Sequence, residues 1–111
     1  MTKGFTGMGG MFRQIQKQAH DMQKRIAEVQ EDLRQRVYDG SAGGGMVTAH
    51  VNGHRELLAV KISPEVVDPS DVQMLEDLVT AAVSQAMKKA AEAYAEEMSK
   101  ITGGLSLPGV F

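Results

Sequence analysis

The chain has 111 residues and a mass of 12.0 kDa, enough for one compact domain and too little for two. It contains no Cys and no Trp, which excludes thiol catalysis, thiolate zinc sites and a disulfide framework. Twelve Lys/Arg against fourteen Asp/Glu leave a net charge of −2, away from the basic balance usual in a dedicated nucleic-acid binder.

Residues 1–10 (MTKGFTGMGG) are glycine-rich with little to bury and read as a flexible lead-in, without the apolar stretch of a signal peptide. Phe12, Ile15, Ala19, Met22, Ile26, Val29 and Leu33 then follow alternating steps of three and four, an unbroken heptad seam. The spacing predicts a helix of about 26 residues, about 39 Å long. Its apolar stripe is narrower than a helix in a globular core needs, so it calls for another long helix as partner.

Helical character ends near Arg36. Val37-Tyr38-Asp39 predicts a short strand, Gly40–Gly45 a loop, and Met46–Val51 a second strand. Asn52-Gly53 signals a two-residue hairpin turn with positive φ at both positions. That turn pairs Val51 with His54, Ala49 with Glu56 and Val47 with Leu58. One face of the sheet then carries Val47, Ala49, Val51, Leu58, Val60 and Ile62, the other Thr48, His50, Arg55 and Lys61.

Ser63-Pro64 ends the strand, and Asp68-Pro69-Ser70-Asp71 opens a second helix. Two caps compete: Asp68 with Pro69 at the first helical position, or Ser70 with Gln73 in a capping box. The helix runs to about Ile101, about 30 residues, with a stripe of Val72, Leu75, Leu78, Val79, Ala82, Ala86, Ala90, Tyr94, Met98 and Ile101. Seven Ala between Ala81 and Ala95 favour helix and close approach. A break near its middle stays open, although no Pro or Gly marks one. Gly103-Gly104 stops it, and 103–111 reads as a flexible tail.

These elements predict an α+β fold: long N-terminal helix, small antiparallel three-stranded sheet, long C-terminal helix, in one domain over 11–102. Two long helices and one small sheet cannot hide their stripes in a monomer, which predicts a homodimer. No apolar run is long enough to span a membrane, so a soluble cytoplasmic protein is expected.

Nothing in the sequence assembles catalytic or metal-binding chemistry. The glycine run lacks the Gly-Lys-Ser/Thr ending of a P-loop and precedes a strand. His50 and His54 fall on opposite faces, with no Cys to complete a metal set, and read as surface residues. His20 reads as solvated. Glu76-Asp77 and Glu96-Glu97 are adjacent pairs that diverge on a helix, and no Ser sits in a nucleophile elbow. A non-enzyme is expected, with no cofactor, no metal and no small-molecule substrate. Met22, Met87 and Met98 fit helical packing, while Met1, Met8 and Met11 could form a sticky arm.

Charge is unevenly distributed. Residues 1–36 carry seven basic and four acidic groups, residues 37–87 two and seven, and residues 88–111 three and three. Arg13, Lys17 and Lys24 line the outside of the first helix, flanked by Arg25, which Asp21 can pair at i, i+4. Lys88, Lys89 and Lys100 add charge on the last helix. Each alone reads as a solvated exterior residue; together they predict a phosphate-contacting surface. No Asn/Arg cluster for base edges is evident, and aromatics at 5% are too few to stack single strands, so duplex DNA held by its backbone is expected. The rival reading is a protein-interaction adaptor using the Met-rich start and Leu105–Phe111 as sticky ends.

Four segments, GGMFRQIQKQAHDMQKRIAEVQEDL, GSAGGGMVTAHVNGHRELLAVKISPEVV, MLEDLVTAAVSQAMKKA and GGLSLPGVF, resemble the YbaB/EbfC family of bacterial nucleoid-associated proteins over essentially the whole chain. Leu75-Glu76-Asp77-Leu78 with Ala81-Ala82 is the most specific part; Ser84 stands where the family usually carries Asn. The resemblance implies a tweezer-like α-β-α homodimer whose sheet region forms the interface and whose helices project as arms. It also implies a cytoplasmic, nucleoid-associated protein that binds double-stranded DNA. By region and chemistry it points to Arg13, Lys17, Lys24, Arg25, Lys88 and Lys89 as DNA contacts.

Overall fold

In a computed structural model, which describes residues 2–103 and their side chains from residue 9 on, the chain is two long helices around a small sheet. The order is α1 (Thr2–Gln35), β1 (Val37–Ala42), β2 (Val47–Asn52), β3 (Leu57–Ile62), a 3-10 turn (Pro64–Val66) and α2 (Val72–Thr102). The strands form one antiparallel sheet in the order β1-β2-β3. The α+β arrangement agrees with the pattern read from the sequence. The molecule is 83 Å long and only 26 Å by 17 Å across.

The helix α1 begins at Thr2, upstream of the start near Met11 that the heptad seam predicts. Glycine lowers helix propensity by about 1 kcal/mol per residue but forbids no helical φ/ψ, and propagation from an established helix needs no new nucleus. The sticky ends expected at Met1, Met8 and Leu105–Phe111 lie outside the described side chains.

α2 lies across one face of the sheet. Val47, Ala49 and Val51 of β2 form the core with Ala82, Ala86 and Ala90 of α2, and Tyr38, Ala42, Val60, Leu75, Leu78 and Val79 pack around them. The approach is close because the opposing residues are small. A Cβ at Gly40, in β1, would overlap the Ala82 carbonyl oxygen and the Ala86 amide nitrogen. The Ser41 amide also donates to Gln85 Oε1 at 2.7 Å, tying β1 to the same stretch of helix. The first strand therefore runs through Gly40 to Ala42, and of the glycine run only Gly43, Gly44 and Gly45, all at positive φ, belong to the loop.

The hairpin differs from its predicted register. Val47 pairs with Ile62, Ala49 with Val60 and Val51 with Leu57, with a bulge between His50 and Val51, in place of pairings to Leu58, Glu56 and His54. The turn is not the predicted two-residue one: the Arg55 amide donates to the Asn52 carbonyl at 2.9 Å, and Arg55, not Asn52 or Gly53, takes positive φ, at 63°. Asn52 Oδ1 accepts from the amides of His54 and Glu56, which braces the loop. Leu58 and Ile62, predicted on the buried face, are 53% and 40% exposed because β3 lies at the sheet edge beyond the cover of α2.

Neither predicted cap starts α2. Asp71 caps it, its Oδ1 accepting from the Met74 amide at 3.1 Å. Asp68 instead accepts from the Ser70 hydroxyl at 2.7 Å and amide at 2.9 Å, which keeps its carboxyl below the usual range and turns the Ser70 side chain away from the helix start. The helix then runs 31 residues without a break. Asp71→Ala is expected to lower stability by about 1 kcal/mol, measured by urea denaturation.

Candidate nucleic-acid interface

The C-terminal end of α1 is fastened to the body at several points. Leu33 is fully buried, and its carbonyl accepts from the Gly53 amide at 2.8 Å. A Cβ at Gly53 would overlap that carbonyl, so glycine is required here for close approach and not for positive φ. His54 Nε2 donates to the Gln30 carbonyl at 2.6 Å, a helix-to-hairpin tie. Arg36 bridges Asp32 of α1, at 2.5 Å, and Glu97 of α2, at 3.4 Å; hydrogen bonds to Tyr38 and Asp32 hold its guanidinium above the ordinary range. These ion pairs are partly exposed and screened by solvent, so the buried Leu33 contact dominates the attachment.

Beyond this base, α1 projects. Met11, Phe12 and Ile15 are 66%, 61% and 56% exposed, and the seam stays uncovered over its outer half. From the Arg36–Glu97 contact, at about 1.5 Å per residue, Lys24 lies about 18 Å and Arg13 about 35 Å along the helix.

Arg13, Lys17, Lys24 and Arg25 are all exposed on this arm. At about 100° per residue, Arg13, Lys17 and Lys24 fall within an arc of about 40°, on the side opposite the seam, while Arg25 sits about 100° from Lys24. No ion pair among the described residues involves any of the four, and the Asp21–Arg25 pairing expected from the sequence is not formed. The paired cations Arg34, Arg36 and Lys100 instead cluster at the base of the arm.

Lys88 and Lys89 are also exposed, but they lie on the body, between Ala86 and Ala90 of the core. Lys89 is about 12 Å back along α2 from Glu97, in the direction of the sheet. The six predicted residues thus form two sets, one on the arm and one on the body.

His50 and His54, expected at the surface, are both half-buried. His50 Nδ1 donates to Asp39 Oδ1 at 2.5 Å, from the sheet face turned away from α2. The structural role of His54 carries no signal in the sequence, because its acceptor is a backbone carbonyl 24 residues away. Among the described residues no group of three or more His, Asp or Glu is placed to hold a metal ion, and no helix is long and apolar enough to cross a membrane.

The chain's likeness to known proteins extends over its length. The model of the YbaB/EbfC DNA-binding family matches residues 8–105. A nucleoid-associated protein of Caldanaerobacter subterraneus is 50% identical over 111 residues, with all of both chains covered. Another, from Clostridium perfringens, is 52% identical over 108 residues, covering 97% of this chain and 96% of its own. Among solved structures, an uncharacterized protein of Helicobacter pylori shares the fold with a TM-score of 0.58 and 22% identity, over 80% of this chain and 98% of its own.

Proposed function

The chain belongs to the YbaB/EbfC DNA-binding family, and from that premise we propose that it binds duplex DNA as a homodimer through phosphate contacts from its arms. The nucleoid-associated relatives support the bacterial nucleoid as its place of action. The observation that carries this reading is a row of exposed cations, in no ion pair among the described residues, on a helix that projects from an acidic body. At about 0.1 M salt the Debye length is about 10 Å, and the arm cations lie about 16 Å or more from the base. The body's negative charge is therefore screened where the phosphates would bind, so the overall −2 does not oppose contact at the arms. Arg13, Lys17, Lys24 and Arg25 are the proposed contacts, with Lys88 and Lys89 as a second site on the body. Fluorescence anisotropy of a labelled duplex at about 50 mM salt tests the reading; binding is expected, and its absence contradicts it.

Dimerisation has its own support. Leu57, Leu58, Ile62, Val67, Val72 and Met74 are 39–53% exposed along β3, the turn after it and the start of α2. They border the open edge of β3, whose unpaired backbone groups suit a further partner. A second copy covering this patch leaves both arms free. Light scattering at low micromolar concentration should return about twice the chain mass, and Leu58→Asp with Ile62→Lys should return a single-chain mass. A wild-type chain that stays at 12.0 kDa contradicts the dimer.

The adaptor reading draws on the bare seam of α1. A partner retained in a pulldown from nuclease-treated lysate would favour it over DNA binding.

A further inference from the structure

His20 stands in the middle of the basic row. Stepping from Arg13 to Lys17, His20 and Lys24 advances four, three and four residues, and all four side chains are exposed. At about 100° per residue they fall within an arc of about 60°, on the side of α1 opposite the seam. Without a charge at His20, Lys17 and Lys24 are separated by about 10.5 Å along the axis; with one, the gaps become about 4.5 Å and 6 Å. Toward the body the same face reaches Glu31, which is engaged with Arg34 at 3.9 Å.

We propose that His20 is a phosphate contact of the arm and that duplex binding by this protein takes up a proton there. The inference rests on the DNA-binding reading and deepens it. Imidazole is the one side-chain type in the row that can exchange a proton near neutrality. The charged groups around His20 all lie on its own helix. Lys17 and Lys24 stand one turn away on the same side, Arg13 beyond Lys17, Glu28 beyond Lys24, and Asp21 about 100° round the helix. The His20 side chain makes no hydrogen bond or ion pair among the described residues. A phosphate backbone laid along the row stabilises the imidazolium, so binding and protonation favour each other, and by linkage each strengthens the other.

The result expected is a pH-dependent affinity carried by one residue. Anisotropy of a labelled duplex with the full-length protein at about 100 mM salt should show affinity rising about tenfold from pH 8 to pH 6, with the slope of log affinity against log salt steepening by about 0.9 per arm. His20→Gln should bind as wild type does at about pH 8 and lose the rise. His20→Arg should bind at about pH 8 as tightly as wild type does at about pH 6. A rise that persists in His20→Gln, or a wild-type protein that binds with the same affinity at both pH values, overturns the inference while leaving the DNA-binding reading intact. A wild-type protein that binds at neither pH overturns the underlying reading and this inference with it. Circular dichroism of both variants should match wild type, because His20 and its neighbours on this face are exposed.

Discussion

Alanine at Gly40 should lower the unfolding free energy by about 3 kcal/mol, one of the largest effects a single methyl group can have in this fold. The added Cβ would meet the backbone of Ala82 and Ala86, not a side chain that can swing aside. Relief requires α2 to lift from β1, which loosens Ala82, Ala86 and Ala90 against Val47, Ala49 and Val51 together. Gly44 supplies the contrast. It has φ +66 and nothing within 4 Å of an added Cβ, so alanine there meets only backbone strain of about 1–2 kcal/mol. Gly44→Asn should recover part of that loss, since Asn tolerates the left-handed region, whereas Gly40→Asn should fare worse than alanine. Urea denaturation of the four variants separates packing from backbone strain; equal losses for Gly40→Ala and Gly44→Ala would contradict the close helix–sheet contact.

The large features of this fold are legible in the sequence because they are periodic. The three-four spacing of Phe12 to Leu33 marks α1, and the Ala-rich stripe from Ala82 to Ala90 marks the buried side of α2. Features set by contacts distant in sequence are not. Asn52-Gly53 carries the strongest local hairpin signal, yet Gly53 is needed where the carbonyl of Leu33 presses against it, and the positive φ moves on to Arg55. Gly40 reads as the first residue of a glycine loop because Gly43–Gly45 follow; its partner, the Ala82/Ala86 step on α2, lies more than forty residues away. A signal is present in that small residues at i and i+4 of a helix let an equally small surface approach. At the start of α2, Asp68, Ser70 and Asp71 are all capping types, and the choice of Asp71 follows from Asp68 engaging Ser70. For the candidate interface, residue type and helical face can be read directly. The family resemblance places all six cations on projecting helices; what the sequence does not supply is that Lys88 and Lys89 sit on the body, beside the Ala86/Ala90 core, while Arg13, Lys17 and Lys24 stand on the arm.

Lys17→Glu with Lys24→Glu should weaken duplex binding by about a thousandfold or more at about 100 mM salt. Two cations reversed on each arm make four per dimer, and each phosphate they neutralise contributes a factor of about eight at that salt, before repulsion from the new carboxylates is counted. Stability should change by no more than about 0.5 kcal/mol, because both positions are exposed on the outer side of the arm. The small loss that remains comes from new like-charge neighbours: a carboxylate at position 17 faces Asp21, and one at position 24 faces Glu28. A variant that folds as wild type and fails to bind DNA assigns the effect to the interface.

The salt dependence of duplex affinity, measured for wild type and for the Lys17→Glu/Lys24→Glu protein in parallel, is the most direct test of phosphate-driven binding by the arms. Log affinity of wild type should fall linearly with log salt, and the slope in the variant should be shallower by about 3.6. Absence of wild-type binding at about 50 mM salt, or the same affinity and slope in both proteins, would contradict it.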